Sequence, residues 1–499
     1  MEISESQKII DKALDTAKEL LSKGKALESK IICQQIIKCG TEDPHARQLL
    51  GLIEFRAGRH REAISIFKQL LIENPNNPQN HNNIALVYAS ISDYKSSIAH
   101  LEKAIEIDPT DGRFYANLGL QYRNIRDYKN SIYNFTKAVE ICPTKDNWNH
   151  LGSAYGENKE SDKAKHAFYQ ALEIDPEFAM AHVDLAYCLQ SSGDWEEAWK
   201  HYEYRFNYFN QLQFYKTVYD QNKKWNREDL KGKRILLFCE QGLGDAIMFA
   251  RYIKHLKNMG AYVILHCYDT IQDIMKHVEG VDEITIAEVH TNPPQPLPEY
   301  DYQTSVMSLP LLLNKPNPYY EPYLNYTKSA NLEKYKDTFN IGIIWAGSPL
   351  HPEDPQRSCY LKEFKPIYDL DNVKLFNLQK HCGPRKYMHL EEPVDFTEGA
   401  ENMNIINASE FINDFEDVAM FINGLDLLVS VDTAPVHLAG AMNKPVMMAV
   451  AYNSDPRWEL DKETTDWYPT IRIFRQKERN NWKEVFERIA DEIKYLLQN

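Results

Sequence analysis

No apolar run in this 499-residue chain approaches the roughly 20 residues needed to span a bilayer. The N-terminus, MEISESQKIIDKAL, reads as a polar helix with no signal-peptide core. Eight cysteines are scattered without a CxxC pair or a closely spaced Cys/His set, which argues against a disulfide framework and a zinc site. Free thiols suit a reducing cytoplasm, the expected location. Basic excess is lacking too: the net charge of −15 excludes a general nucleic-acid binder or a basic membrane-surface protein. What remains is an ordinary globular composition, 43% hydrophobic and 26% charged, with length for two or three domains.

The first half repeats itself. Gly51, Ala85, Gly119, Gly152 and Ala186 recur at spacings of 34, 34, 33 and 34 residues, each behind an apolar residue. Twelve residues later comes a second small residue (Ala63, Ser97, Ser131, Ala164, Ala198), and four further on a large one (Phe67, Leu101, Phe135, Phe168, Tyr202). Small residues let two antiparallel helices approach, and Pro75, Pro109, Pro143 and Pro176 end the second helix of four units. This is the tetratricopeptide pattern, over roughly residues 25–205. Met1–Lys23 is expected to cap the stack with a degenerate first unit. The array is thus assigned residues 1–205, about five repeats plus the cap.

Two residues before the first small position stand Asn83, Asn117, His150 and Asp184, with Asn82 and Asn149 beside two of them. Asparagine is a mediocre helix former, so a polar row on the helices lining the concave face wants a reason. Two readings stand: amides gripping the backbone of an acceptor peptide, or a solvated face.

An aromatic-rich stretch, Tyr202–Tyr219, then opens a segment (206–232) expected to pack the repeats against the C-terminal half. From Lys233 the pattern is α/β. Strands are expected at Arg234–Cys239, Tyr262–Cys267, Ile284–Ile286, Tyr302–Val306, Asn340–Ala346, Val373–Leu378, Leu427–Val431 and Pro445–Val450. A helix is expected at Ala246–Met259 and a proline-rich loop at Asn292–Pro298. Two strand–helix blocks predict two Rossmann-like lobes, 233–330 and 331–499, with a cleft between them.

Leu427–Pro445, LLVSVDTAPVHLAGAMNKP, is the most informative stretch. A buried strand feeds through Asp432-Thr433 into a helix whose first turn tolerates Pro435. Such a helix N-terminus offers free N–H groups and a positive dipole end to an anion, with His437 one turn in. Gly242-x-Gly244 lacks the third glycine of a dinucleotide fingerprint, Ile247 standing there, and Asp245 would repel a pyrophosphate. Asp245 reads as either the N-cap of its helix or a general base. Asp369-x-Asp371 has metal-pair spacing but lies in a polar connection and reads as solvated.

QGLGDAIMFARYI (Gln241–Ile253), IGIIWAGSP (Ile341–Pro349), RSCYL (Arg357–Leu361), LFNLQK (Leu375–Lys380), Ile412–Val446 and WYPTIRIFRQ (Trp467–Gln476) together resemble glycosyltransferase family 9, the heptosyltransferase-like enzymes of GT-B fold. The likeness is strongest to bacterial chains with tetratricopeptide repeats ahead of that domain. By architecture alone, the chain also resembles the eukaryotic O-linked N-acetylglucosamine transferases, whose repeats bind peptide through asparagines.

The resemblance implies an inverting transfer from a nucleotide sugar, which is the donor substrate, with no cofactor and no metal. Asp245 is the implied base. Gly242, Gly244, Arg357, Lys380, Thr433 and His437 are implied to face the nucleotide sugar. Asp432, unfavourable beside a diphosphate, is assigned to the loop scaffold. The implied acceptor is a protein held by the repeats, flagellin or another surface protein. The lobe from Lys233 to about Tyr326 is short for the family, which disfavours a lipopolysaccharide heptose acceptor. Two rivals stay open: an acceptor that is a saccharide or lipid-linked glycan, with the repeats as docking scaffold, and a non-catalytic adaptor with a relict nucleotide-sugar fold.

Overall fold

The computed structural model describes residues 5–41, 43–208, 220–286, 297–351, 354–380, 384–386 and 393–498. The chain divides into two compact units, residues 1–184 and 185–499.

The first unit is a stack of helix pairs, from Glu5–Ser22 with Ala26–Ile36 to Lys145–Glu157 with Ser161–Ile174. Polar residues start many of these helices: the Asp43, Asn77, Asp93, Asp111, Asp127 and Thr144 side chains each accept a backbone N–H. The repeated glycines sit flat against the repeated phenylalanines. A Cβ on Gly51 would lie 2.8 Å from the Phe67 ring, and one on Gly152 2.6 Å from Phe168, so the helix pairs close only without it. Twelve-residue spacing has its own bond: Ser97 and Ser131 hydroxyls donate to the Ala85 and Gly119 carbonyls at 2.8 and 3.0 Å. Ser29 does the same to Ala17 at 2.7 Å, so the leading helices follow the repeat geometry.

The second unit holds two parallel sheets. The first contains β1 (Arg234–Phe238), β2 (Tyr262–Cys267), β3 (Glu283–Ile286) and β4 (Tyr302–Ser305), in the order β3-β2-β1-β4. The second contains β5 (Phe339–Ile344), β6 (Val373–Asn377), β7 (Ile406–Asn407), β8 (Leu427–Val431), β9 (Val446–Val450) and β10 (Ile471–Arg475), in the order β10-β9-β8-β5-β6-β7. The central strands β1, β5, β8 and β9 are mostly apolar and buried, as suits parallel strands. Connections reverse direction between β1 and β4 and between β5 and β8, where the carboxyl ends of the strands open a crevice.

One expectation needs correction. The helix expected over Ala246–Met259 starts earlier and is broken: Leu243–Phe249, a 3-10 turn Ala250–Tyr252, then Ile253–Asn258. The division between the two units falls inside the last repeat expected, so that Trp195–Tyr202 lies in the second unit. Its aromatics pack there, Trp195 edge-on to Trp467 at 5.2 Å and Trp199 edge-on to Phe249 at 5.5 Å. The two sheets also share part of their core. One buried cluster runs from Ile235 and Phe249 through Leu428, Val436 and Trp467. Of the aromatic segment, residues 209–219 lie outside the described residues, as does most of the Asn292–Pro298 loop.

Candidate functional site

Gly242 is the N-cap of the Leu243–Phe249 helix, and Asp245 is its third residue, not the cap itself. The Asp245 Oδ2 accepts the Gly242 N–H at 3.0 Å, closing the turn. Just before it Gln241 takes φ +61°, a conformation that side chains seldom adopt. Two tyrosines hold it there: the Tyr268 hydroxyl donates to its carbonyl at 2.8 Å, and its amide donates to the Tyr202 hydroxyl. Behind the loop, Glu240 and Arg205 form a fully buried ion pair at 2.7 Å. Arg205 also donates to the Ser308 hydroxyl at 2.8 Å and to Glu203 at 2.8 Å, while Ser305 at the end of β4 donates to Glu240. The GLGD turn therefore rests on a charged network at the β1–β4 switch.

At the other switch, β8 ends in Asp432 and Thr433. Thr433 is the N-cap of the Ala434–Ala441 helix, but its hydroxyl pairs with Ser430 Oγ at 3.0 Å and leaves the helix N–H groups uncapped by side chains. Asp432 is half-buried. Burial, then the neighbouring Asp455, pushes its carboxyl above the usual range against the pull of Arg457, the Trp458 indole and Arg357.

His437 lies where the two halves meet. It is 3% exposed, stacked on Trp458 at 5.3 Å, with Nδ1 3.2 Å from the Tyr468 hydroxyl. Burial, then Arg457 and Arg251, holds its ring well below the ordinary histidine range, hence neutral. Its other edge meets Gly244, where a Cβ would lie 2.7 Å from Cδ2. The Leu243–Phe249 and Ala434–Ala441 helices are thus in direct contact, bringing Gly244, Asp245, Thr433 and His437 to one place.

Two residues that sequence reasoning passed over complete the site. Arg457 Nη2 lies 2.7 Å from Asp245 Oδ1, and its Nε donates to Asp455 at 2.8 Å. Burial would lower the guanidinium, but Asp245 and Asp455 more than offset it, so Arg457 stays a cation. Both follow β9, and a polar loop with an arginine at the carboxyl end of a strand beside β8 was the available signal. Arg251, fully buried, donates to the Trp467 carbonyl at 2.8 Å and to the Tyr319 carbonyl at 2.6 Å, pinning the seam.

Arg357 ends the short helix Asp354–Arg357 after β5, its Nε 3.5 Å from buried Asp354, which Arg385 also meets at 3.1 Å. It lies within electrostatic reach of Asp432. Lys380, after β6, is committed elsewhere, donating to the Ile412 carbonyl. In the first unit the polar row bonds to itself. Asn117 donates to Asn82 at 2.7 Å, Asn149 to Asp184 at 2.9 Å, and Asn83 accepts from Gln79 at 2.9 Å. His150 stacks on Phe135 at 5.5 Å. Burial keeps the Asp184 carboxyl above its usual range despite the Asn149 and Ser153 donors.

Residues 43–144 and 146–178 match tetratricopeptide-repeat models, and residues 398–485 match the model of glycosyltransferase family 9 (heptosyltransferase). The chain carries tetratricopeptide repeats followed by a family 9 domain. Asp432, Thr433, His437, Asp455 and Arg457 fall inside that match, whereas Gly242, Gly244, Asp245, Arg357 and Lys380 lie outside it. Protein FlbA of Caulobacter vibrioides is similar, 26% identical over 338 residues that make up 63% of this chain. The matched region spans 55% of FlbA, about half its length. Among solved structures, MamA of Desulfovibrio magneticus RS-1 is similar at 21% identity and TM-score 0.31, over 36% of this chain and 99% of its own. TTC0263, a thermophilic tetratricopeptide protein of Thermus thermophilus, is similar at 18% identity and TM-score 0.33, over 36% and 98%. Among the described residues no helix is long and apolar enough to cross a membrane, and no group of three His, Cys, Asp or Glu could hold a metal ion.

Proposed function

We propose that the chain is an inverting, metal-independent glycosyltransferase of GT-B type, acting in the cytoplasm on a protein acceptor held by the repeats. The observation that carries this reading is the meeting of Asp245 with the Asp432–His437 turn, through the contact of Gly244 with His437. One carboxylate and one uncapped helix N-terminus, each at the switch point of its own parallel sheet, supply the two things the reaction asks for. Asp245 takes the proton of an acceptor hydroxyl as that oxygen bonds to the anomeric carbon. The bond from that carbon to the diphosphate breaks, and its electron pair leaves with the nucleoside diphosphate. Backbone N–H groups of the Ala434–Ala441 turn, the Thr433 hydroxyl and the Arg357 guanidinium offset the charge that develops. His437, neutral and enclosed, shapes the turn and acts as a hydrogen-bond partner rather than a cation. Asp432 orders the loop.

The test is Asp245→Asn, which keeps the shape of the side chain. Transfer should be lost while the variant still binds the nucleotide sugar and its unfolding temperature stays close to wild type. Full transfer by that variant removes Asp245 as the base.

A second reading keeps the chemistry but gives it a saccharide or lipid-linked glycan acceptor. The bonds from Asn117 to Asn82 and from Asn149 to Asp184 favour it, because those amides are partly spent within the array. Asn117→Ala and Asp184→Ala decide: protein transfer falls under the first reading, and transfer to a small glycan is unchanged under the second.

A further inference from the structure

Both carboxylate oxygens of Asp245 are engaged in the arrangement just described, one by a hydrogen bond and one by an ion pair. Oδ2 holds the Gly242 N–H at 3.0 Å, and Oδ1, closed off from solvent, lies 2.7 Å from Arg457 Nη2. Arg457 is anchored from the other sheet. Its Nε donates to Asp455 Oδ1 at 2.8 Å, its Nη2 to Oδ2 at 3.1 Å and its backbone N–H to Oδ1 at 3.0 Å. Nη1 points at the Met248 sulfur, 3.6 Å away. One nitrogen, Nη2, is therefore shared between a three-point anchor on Asp455 and a single ion pair on Asp245. The same guanidinium acts on Asp432, at the mouth of the turn proposed to take the donor.

We infer that Arg457 is a donor-operated latch on the base: the diphosphate of the nucleotide sugar competes with Asp245 for Nη2, and capturing it frees Oδ1 for the acceptor hydroxyl. This rests on the proposed glycosyl transfer. A diphosphate offers several anionic oxygens to a guanidinium that two carboxylates already hold charged, and planar bidentate pairing with phosphate is what that group does best. Asp455 keeps Arg457 in place during the exchange, so the move is a pivot of its end. Once Oδ1 is released, it takes the hydroxyl proton, the acceptor oxygen bonds to the anomeric carbon, and the bond from that carbon to the diphosphate breaks, its electron pair staying on the leaving oxygen while Nη2 offsets the charge. The donor then binds first and the acceptor second. Asp245, the residue that performs the chemistry, works against donor binding until it lets go.

That opposition is measurable without any acceptor. Calorimetry of the full chain with UDP, GDP and ADP finds the nucleoside diphosphate that binds wild type. Its Kd is then measured for Asp245→Asn, Arg457→Gln and the double variant. Asp245→Asn should tighten binding about fivefold to tenfold, and Arg457→Gln should weaken it about tenfold or more, the scale of one coupled charge contact. In the double variant the gain from Asp245→Asn should vanish, because it acts through Arg457. Unchanged or weaker binding by Asp245→Asn overturns the latch, even if Arg457→Gln fails to fold. A gain that persists in the Arg457→Gln background also overturns it, reducing the effect to plain repulsion. Wild type that binds none of the three overturns the latch together with the donor-site reading.

Discussion

Gly244 is the residue whose substitution reports most directly on how the two halves of the site are joined. A methyl group at this position would stand 2.7 Å from His437 Cδ2, 3.2 Å from Nε2 and 3.6 Å from Ala434 Cα. Carbon atoms prefer about 3.5–4.0 Å, so the first approach is about an ångström too close. His437 has little room to yield, with Trp458 stacked on one face and Tyr468 on Nδ1. The helices must part instead, and overpacking of this kind costs about 1–3 kcal/mol. Alanine is also a better helix former than glycine by about 0.5–1 kcal/mol, which works the other way. The crowding wins, leaving a net loss of roughly 1–2 kcal/mol for Gly244→Ala. In a His437→Ala background the crowding is gone and only the helix gain remains, so the same substitution should turn stabilising. Urea unfolding followed by tryptophan fluorescence suits the measurement, because seven of the eight tryptophans lie in residues 185–499. A Gly244→Ala chain as stable as wild type, or one whose loss persists without His437, refutes the helix contact.

Arg205→Met strips Glu240 of its buried partner and should cost about 3–5 kcal/mol, read in the same unfolding assay; a loss below about 1 kcal/mol would mean that the pair is not buried. In the repeats, His81 Nδ1 faces His100 Nδ1 at 3.0 Å while His81 Nε2 faces the Pro75 carbonyl at 2.9 Å. Burial, then His81 and Lys68, depresses His100 in the folded chain. The unfolded chain then binds more protons below its ordinary value of about 6.5, so stability should fall as pH drops from about 7.5 to about 5.5. Replacing His100 by Gln should flatten part of that slope in thermal unfolding followed by circular dichroism, and an unaltered slope would assign it elsewhere.

The strands of the second unit were legible because buried parallel strands are apolar runs, and Leu427–Val431 was placed to the residue. The repeats were legible for a sharper reason: Gly51, Gly119 and Gly152 each exist to admit one named phenylalanine. Less visible was anything made by contact across long separations. The bond between Arg457 and Asp245 joins residues 212 positions apart, and no local pattern announces it. Glu240 and Arg205 are an ordinary acidic and an ordinary basic residue until β1 and β4 enclose them. Trp195–Tyr202 keeps the repeat spacing, yet its aromatics pack in the second unit. For Asp245, sequence shows that a carboxylate stands near a helix start, which fits a cap or a base equally. Only geometry shows that Gly242 is the cap and that Asp245 closes the turn from its third position.

The central claim is that the chain uses a nucleotide sugar, and the direct measurement is to incubate it with a panel of them and follow nucleoside diphosphate release. Wild type should release the diphosphate from one donor, faster with acceptor present. Asp245→Asn should bind that donor and release nothing above the uncatalysed rate. A wild-type chain that binds no member of the panel would contradict the account, leaving a repeat adaptor with a relict fold.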